Sequence, residues 1–140
     1  MDLSTALDFA RTTTKSVLTT VRADGRPQLS NVLHVVGDDG FIRVSITTAR
    51  AKYVNLRRTP WAALHVTSDD FWAYAVLEGD VTLSDVATSP DDPVVEELVA
   101  HYRAGVGEHP DWDDFRAAMV RDGRVLVRLD PTRAYGMLRS

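Results

Sequence analysis

What most constrains this chain is a pair of tight-turn signals set close together near its start. Ala23-Asp24-Gly25-Arg26 and Gly37-Asp38-Asp39-Gly40 each place glycine where the backbone of a tight hairpin takes a positive φ. The residues around these turns alternate in polarity or are β-branched, which predicts strands over Ser16–Val21, Pro27–Val36 and Phe41–Thr47. Strands joined by turns this short run antiparallel, so the first half of the chain is expected to be a meander.

The rest of the chain adds strands and a few helices. Leu3, Leu7 and Ala10, with Ala6 beside them, predict a helix over 3–13. Thr48–Arg58 loses the two-residue alternation and reads as a short helix or helical turn, ended by Pro60. Trp61–Val66 and Tyr74–Leu83 read as strands, separated by the polar Thr67-Ser68-Asp69-Asp70. After Ser89-Pro90-Asp91-Asp92-Pro93, Val95, Leu98, Val99 and Tyr102 lie on one helical face. A further helix is expected to start at Asp111, because Asp111 and Asp114 suit the free amides and positive pole of a helix N-terminus. Its apolar face is Trp112, Phe115 and Met119. Val125–Leu129 and Arg133–Leu138, with Pro131 between them, are expected as the last strands. No strand–helix–strand alternation runs through the chain, which argues against a parallel sheet. A mainly β fold with helices, an antiparallel barrel closed or partly split, hides this many strand edges in so few residues.

Length and charge set further limits. The 140 residues fit one domain, 1–140, since a domain commonly holds roughly 100–200 residues. A body of that size buries one core with little surface to spare, so a site for a large ligand is expected to draw on a second subunit. The net charge of -4 argues against nucleic acid, and any anion must be held by a local basic cluster. Cysteine is absent, which removes disulfides, thiolate nucleophiles and zinc–thiolate sites. No apolar run approaches the roughly 20 residues that span a bilayer. The start, Met1-Asp-Leu-Ser-Thr, lacks the basic-then-apolar pattern of a signal peptide, so a cytoplasmic location is expected.

The most informative segment is Ser45-Ile46-Thr47-Thr48-Ala49-Arg50-Ala51-Lys52-Tyr53-Val54-Asn55-Leu56. It leaves a strand and enters a turn, where backbone amides are free and small residues let a ligand approach. Arg50 offers a planar bidentate fork and Lys52 a mobile point charge, a complementary pair for phosphate or carboxylate. Spacing alone also allows the other reading, in which Arg50, Lys52, Arg57 and Arg58 form the solvated face of a short helix.

The chain resembles the split-barrel flavin-binding superfamily that includes pyridoxamine 5′-phosphate oxidase. It is most similar to the small actinobacterial branch that uses the deazaflavin coenzyme F420. The likeness rests on Asp24-Gly25-Arg26-Pro27-Gln28-Leu29-Ser30-Asn31, Arg50-Ala51-Lys52 with Asn55-Leu56-Arg57-Arg58, Trp72-Ala73-Tyr74, Glu78-Gly79, and Asp111-Trp112-Asp113-Asp114 with Met119. It implies a homodimeric FMN-binding-type split barrel whose cofactor phosphate is held by Arg50 and Lys52. It also implies cofactor contacts at Gln28, Ser30, Asn31, Ser45, Ile46 and Asn55, with Trp72 and Tyr74 contributed across the dimer interface. For those two aromatics, ordinary core or dimer packing is an equal reading. Coenzyme F420 carries a phosphodiester and a glutamate tail, and Arg26, Arg57 and Arg58 offer the extra positive charge, or else serve as exposed solubilising groups. Pyridoxamine phosphate oxidases carry a Trp- and Arg-rich motif near the end. This chain ends Pro131-Thr132-Arg133-Ala134-Tyr135-Gly136-Met137-Leu138-Arg139-Ser140 without it, which disfavours vitamin B6 oxidation.

Other chemistries find no support in the residue pattern. His34, His65, His101 and His109 are scattered, and none pairs with another at metal-ligand spacing, so no metal is expected. His101 and His109 read as surface or capping residues, and His34 as a packed strand histidine or a cofactor neighbour. The Asp pairs at 38–39, 69–70, 91–92 and 113–114 fit turns and helix starts. The resemblance therefore implies an oxidoreductase that moves a hydride between reduced F420 and a small unsaturated organic acceptor. The alternatives are an FMN-dependent oxidase or reductase of the same fold, and a non-catalytic F420 or flavin carrier. No residue is assigned as the proton donor, the options being Tyr74, His34 or a water.

Overall fold

The computed structural model describes residues 1–138, so Arg139 and Ser140 of the terminal stretch lie outside the described residues. Its elements are α1 (Leu3–Ala10), β1 (Lys15–Val21), β2 (Pro27–Val36), β3 (Ile42–Thr47), α2 (Ala51–Arg58), β4 (Trp61–Thr67), β5 (Tyr74–Leu83), α3 (Pro93–Gly105), α4 (Trp112–Arg121) and β6 (Arg124–Met137). The strands close into an antiparallel barrel in the order β1-β2-β3-β6-β5-β4. The two turns that constrain the start are formed as expected, with Gly25 at φ 83 and Gly40 at φ 84.

Strand alternation divides the molecule into two cores. Leu18, Ile42, Val44, Ile46, Leu64, Val66, Leu77, Val125 and Val127 point inward and fill the barrel, with Ala6 and Ala10 of α1 completing the cluster. Leu126 faces outward between its inward neighbours, and packs with Val95, Leu98 and Val99 of α3 and Phe115 of α4. The helix pair is therefore a roof laid on the outer face of the sheet. Asp111 caps α4 by accepting a hydrogen bond from the Asp114 amide at 3.1 Å, the start its sequence predicts.

β1, β3 and β4 differ from the expected ranges by one residue at one end, and three larger differences have physical causes. α1 ends at Ala10 rather than at 13, because the following threonines bond the local backbone instead of continuing the helix. The Thr12 hydroxyl donates to the Phe9 carbonyl at 2.7 Å, and Thr13 Oγ1 accepts from the Lys15 amide at 3.2 Å. α2 begins at Ala51 rather than Thr48, since the Thr48 amide is bonded to the Gly123 carbonyl across the sheet. The last two expected strands are one continuous strand, β6, running through Pro131. It pairs with β3 over Arg124–Leu129 and with β5 over Val127–Met137, and Pro131 sits opposite Gly79 at a bulge between Glu78 and Gly79. The proline is tolerated at that irregularity because no regular ladder bond needs its missing N–H. Gly79 is required there, since a Cβ would lie 2.0 Å from the Asp130 carbonyl oxygen.

The β2–β3 seam is short. It pairs only His34, Val35 and Val36 with Val44, Arg43 and Ile42, so the Pro27–Leu33 portion of β2 diverges from β3. Among the described residues, no helix is long and apolar enough to cross a membrane.

Candidate functional site

The divergence of β2 from β3 and the roof of α3 and α4 leave a cleft of about 730 Å³. The floor comes from Ser30, Asn31, Val32, Leu33 and Val35 of β2 and Ser45, Ile46 and Thr47 of β3. The roof comes from Leu98, His101, Tyr102 and Gly105 of α3, the following Val106, and Phe115 and Met119 of α4. No aspartate or glutamate lines it among the described residues.

One end of the cleft is cationic. Arg50, at the N-cap of α2, and Lys52, in its first turn, both line it. Lys52 Nζ donates to Ser30 Oγ at 3.4 Å. Burial, then the charges of Arg50 and Arg124, hold the Lys52 ammonium below its ordinary pKa. Arg124 is the third cation, brought in by β6, where it sits opposite Thr47 of β3. Its Nη1 makes only long contacts to the Ser45 carbonyl and hydroxyl, at 3.4 and 3.5 Å. Its Nε is buried without a partner. Gathering like charges costs free energy, and a phosphate or carboxylate bound between them offsets that cost. The donor set therefore fits an anionic group.

Arg124 was not singled out by the sequence. It starts an ordinary apolar strand, and only the β3–β6 register, a long-range pairing, brings it to Arg50 and Lys52. His101 corrects an expectation. It is neither a surface nor a capping residue but lines the cleft, with Nδ1 buried and unpartnered. His34 is the packed strand histidine. Its Nε2–H donates to the Ala10 carbonyl at 2.9 Å, and Nδ1 accepts from the Ser16 hydroxyl at 2.7 Å. Burial lowers its pKa and keeps it neutral. Both ring nitrogens being engaged inside the barrel, it has no path to a ligand in the cleft.

Of the expected contacts, Ser30, Asn31, Ser45, Ile46, Arg50 and Lys52 come together in the cleft. Gln28 and Asn55 do not line it. Asn55 Nδ2 donates to Thr20 Oγ1 at 3.1 Å and Gln28 Oε1 at 3.0 Å, a buried network that fastens α2 over β1 and β2. Arg58 joins that network, donating to the Val21 carbonyl and to Asn55 Oδ1. Arg57 lies over the Tyr53 ring, and neither it nor Arg26 lines the cleft. Trp72 and Tyr74 also lie outside it within one chain. Tyr74 stacks near His65, while Trp72 is 64% exposed beside Phe71, which is 68% exposed.

Comparison with known proteins extends this picture. The family model described as pyridoxamine 5′-phosphate oxidase matches residues 5–138. A solved F420 reductase is 26% identical, covering 91% of this chain and 94% of its own, with a TM-score of 0.65. The conserved hypothetical protein Rv2991 from Mycobacterium tuberculosis is 24% identical over 97% of this chain and 84% of its own, with a TM-score of 0.75. HutZ, the heme storage protein from Vibrio cholerae, shares the fold at 18% identity, covering 96% of this chain and 94% of its own, with a TM-score of 0.69.

Proposed function

The chain belongs to the pyridoxamine 5′-phosphate oxidase family, and from that membership we propose that it is a cytoplasmic, homodimeric F420-dependent reductase of a small unsaturated organic acceptor. The observation that carries this reading is the junction of a three-cation end, Arg50, Lys52 and Arg124, with an apolar, aromatic-roofed cleft. That is the shape of a site for a flat redox ring with an anionic tail. The likeness to an F420 reductase supports the deazaflavin over other rings.

Arg50, Lys52 and Arg124 bind the phosphate, Arg124 through the Nη end of its guanidinium. Ser30, Asn31, Ser45 and Ile46 lie along the ring. Leu98, Tyr102, Phe115 and Met119 exclude water from it, which keeps the reacting faces dry and aligned. Reduced F420, when bound, supplies a hydride, and the accompanying proton comes from solvent at the open side of the cleft, away from the roof. A second copy, docked on exposed Leu29, Leu33, Trp72, Tyr135 and Met137, brings Trp72 and Tyr74 to the open side of the cleft.

FMN is the second reading. It is favoured by the distance of Arg26, Arg57 and Arg58 from the cleft lining, which leaves a compact cluster suited to a phosphate monoester. The two are separated by titrating protein made in a host without F420 with each cofactor. Colourless protein that binds F420 and not FMN supports the first, and a stoichiometric yellow flavin complex on purification refutes it. Bound reduced F420 that no quinone, nitroheterocycle or tetrapyrrole consumes makes the protein a carrier rather than a reductase.

A further inference from the structure

Building on that reading, we propose that His101 determines acceptor specificity: its imidazole hydrogen-bonds the ring oxygen of a flat, uncharged acceptor held under α3. His101 lines the same cleft as the three cations; its Nδ1 is buried with no hydrogen-bonding partner, which leaves Nε2 as the ring nitrogen a ligand in the cleft can reach. Val35, Leu98 and Val106 are among the apolar residues that line the same cleft. The roof lies close on the sheet here, because a Cβ on Gly105 would come within 3.1 Å of Val35 Cγ2.

The two polar features of the cleft stand apart. α3, which carries His101, closes on the sheet where Gly105 meets Val35, the partner of Arg43 in β3, whereas Arg124 sits opposite Thr47. Thr47 lies four positions along β3 from Arg43, about 13 Å at the usual rise of an extended strand. An anionic group is thus drawn to one end and an uncharged oxygen to the other.

The state of the ring supports this division. Burial, then Arg43 from β3 and His34 from β2, push the His101 pKa down to about 4. Arg43 is itself held by Asp39, 2.7 Å from its Nη2. At neutral pH the imidazole carries one N–H and one bare nitrogen, so it serves a carbonyl as donor and a hydroxyl as acceptor. It therefore suits an acceptor whose oxygen passes from carbonyl to hydroxyl on reduction.

The test uses the whole protein, His101→Leu and His101→Gln, with 1,4-naphthoquinone and naphthalene as probes. Binding is read by tryptophan fluorescence and by the imidazole nitrogen shifts of the wild type. The expected result for His101→Leu is about tenfold weaker quinone binding, the worth of one hydrogen bond, with naphthalene and F420 binding unchanged. His101→Gln, whose amide nitrogen takes the place of Nε2, restores quinone binding, and the acceptor KM follows the same order. Equal weakening of quinone and naphthalene, or no change in either, overturns the proposal. If F420 fails to bind while the quinone still depends on His101, the cofactor reading falls and this one stands. If F420 binds and the quinone is indifferent to His101, the reverse holds.

Discussion

Replacing Arg124 by methionine is expected to raise the stability of the ligand-free protein and weaken its hold on the cofactor. The substitution keeps much of the aliphatic stem and removes the guanidinium. In the free protein that guanidinium leaves Nε buried and unpaired and adds to the field that depresses Lys52. An unsatisfied buried donor costs about 1–3 kcal/mol. The bonds given up in exchange, to Ser45 at 3.4 and 3.5 Å, are long and weak. The balance is a gain of about 1 kcal/mol, which in a domain of this size raises Tm by about 2–6 °C. With the anion bound the sign reverses, because a hydrogen bond between charged groups contributes about 1.5–3 kcal/mol. Losing it weakens cofactor binding by about 10–100-fold. Thermal melts without ligand, and fluorescence titrations with F420 and FMN at low and high salt, read both effects. The variant's titration should also be less salt-sensitive. A variant that melts below wild type yet binds both cofactors equally well would refute the three-cation reasoning.

Other outcomes follow from single features. Phe71 holds φ 79 at an exposed position, a left-handed conformation that costs a bulky residue about 1–2 kcal/mol. Phe71→Gly should therefore raise the melting temperature while weakening self-association in sedimentation, and an unchanged or lower Tm would contradict the strain. Gly79→Ala should destabilise by more than about 3 kcal/mol or prevent folding, because its Cβ has no space against the Asp130 carbonyl. This is checked by soluble yield and urea midpoint. His34 and His101 both have pKa values lowered from 6.5 by burial. The unfolded chain takes up their protons first, so stability is full above about pH 6.5 and falls as the pH drops toward 4. Urea midpoints that stay level between pH 7 and 5 would show that neither ring is buried neutral.

Much of the architecture is written locally. Gly25 and Gly40 announce hairpins, and the alternation in β1 to β5 assigns each side chain a face. Asp111 marks a helix start that needs no distant partner. What stayed hidden depends on pairing between residues far apart in sequence. Pro131 reads as a break until Gly79 is placed opposite it, and Arg124 reads as one arginine among many until β6 lies against β3. His101 is a helix residue whose importance comes from the sheet beneath that helix. The cation pair Arg50 and Lys52 was legible because both members stand in one turn. Gln28 and Asn55 fall in segments that resemble the family, yet their side chains face each other under α2, a partnership no local pattern expresses.

The division into two cores has a consequence for how such a protein changes over generations. The barrel closes on its own apolar interior, and the cationic end of the cleft is built from its strands and the α2 turn. The roof rests on the outside through a separate, smaller cluster centred on Leu126. Substitutions in α3 and α4 therefore rewrite the ceiling of the cleft without disturbing the closed barrel or the cations at its end. A lineage built this way keeps its floor and its charges and varies the chemistry of one ceiling.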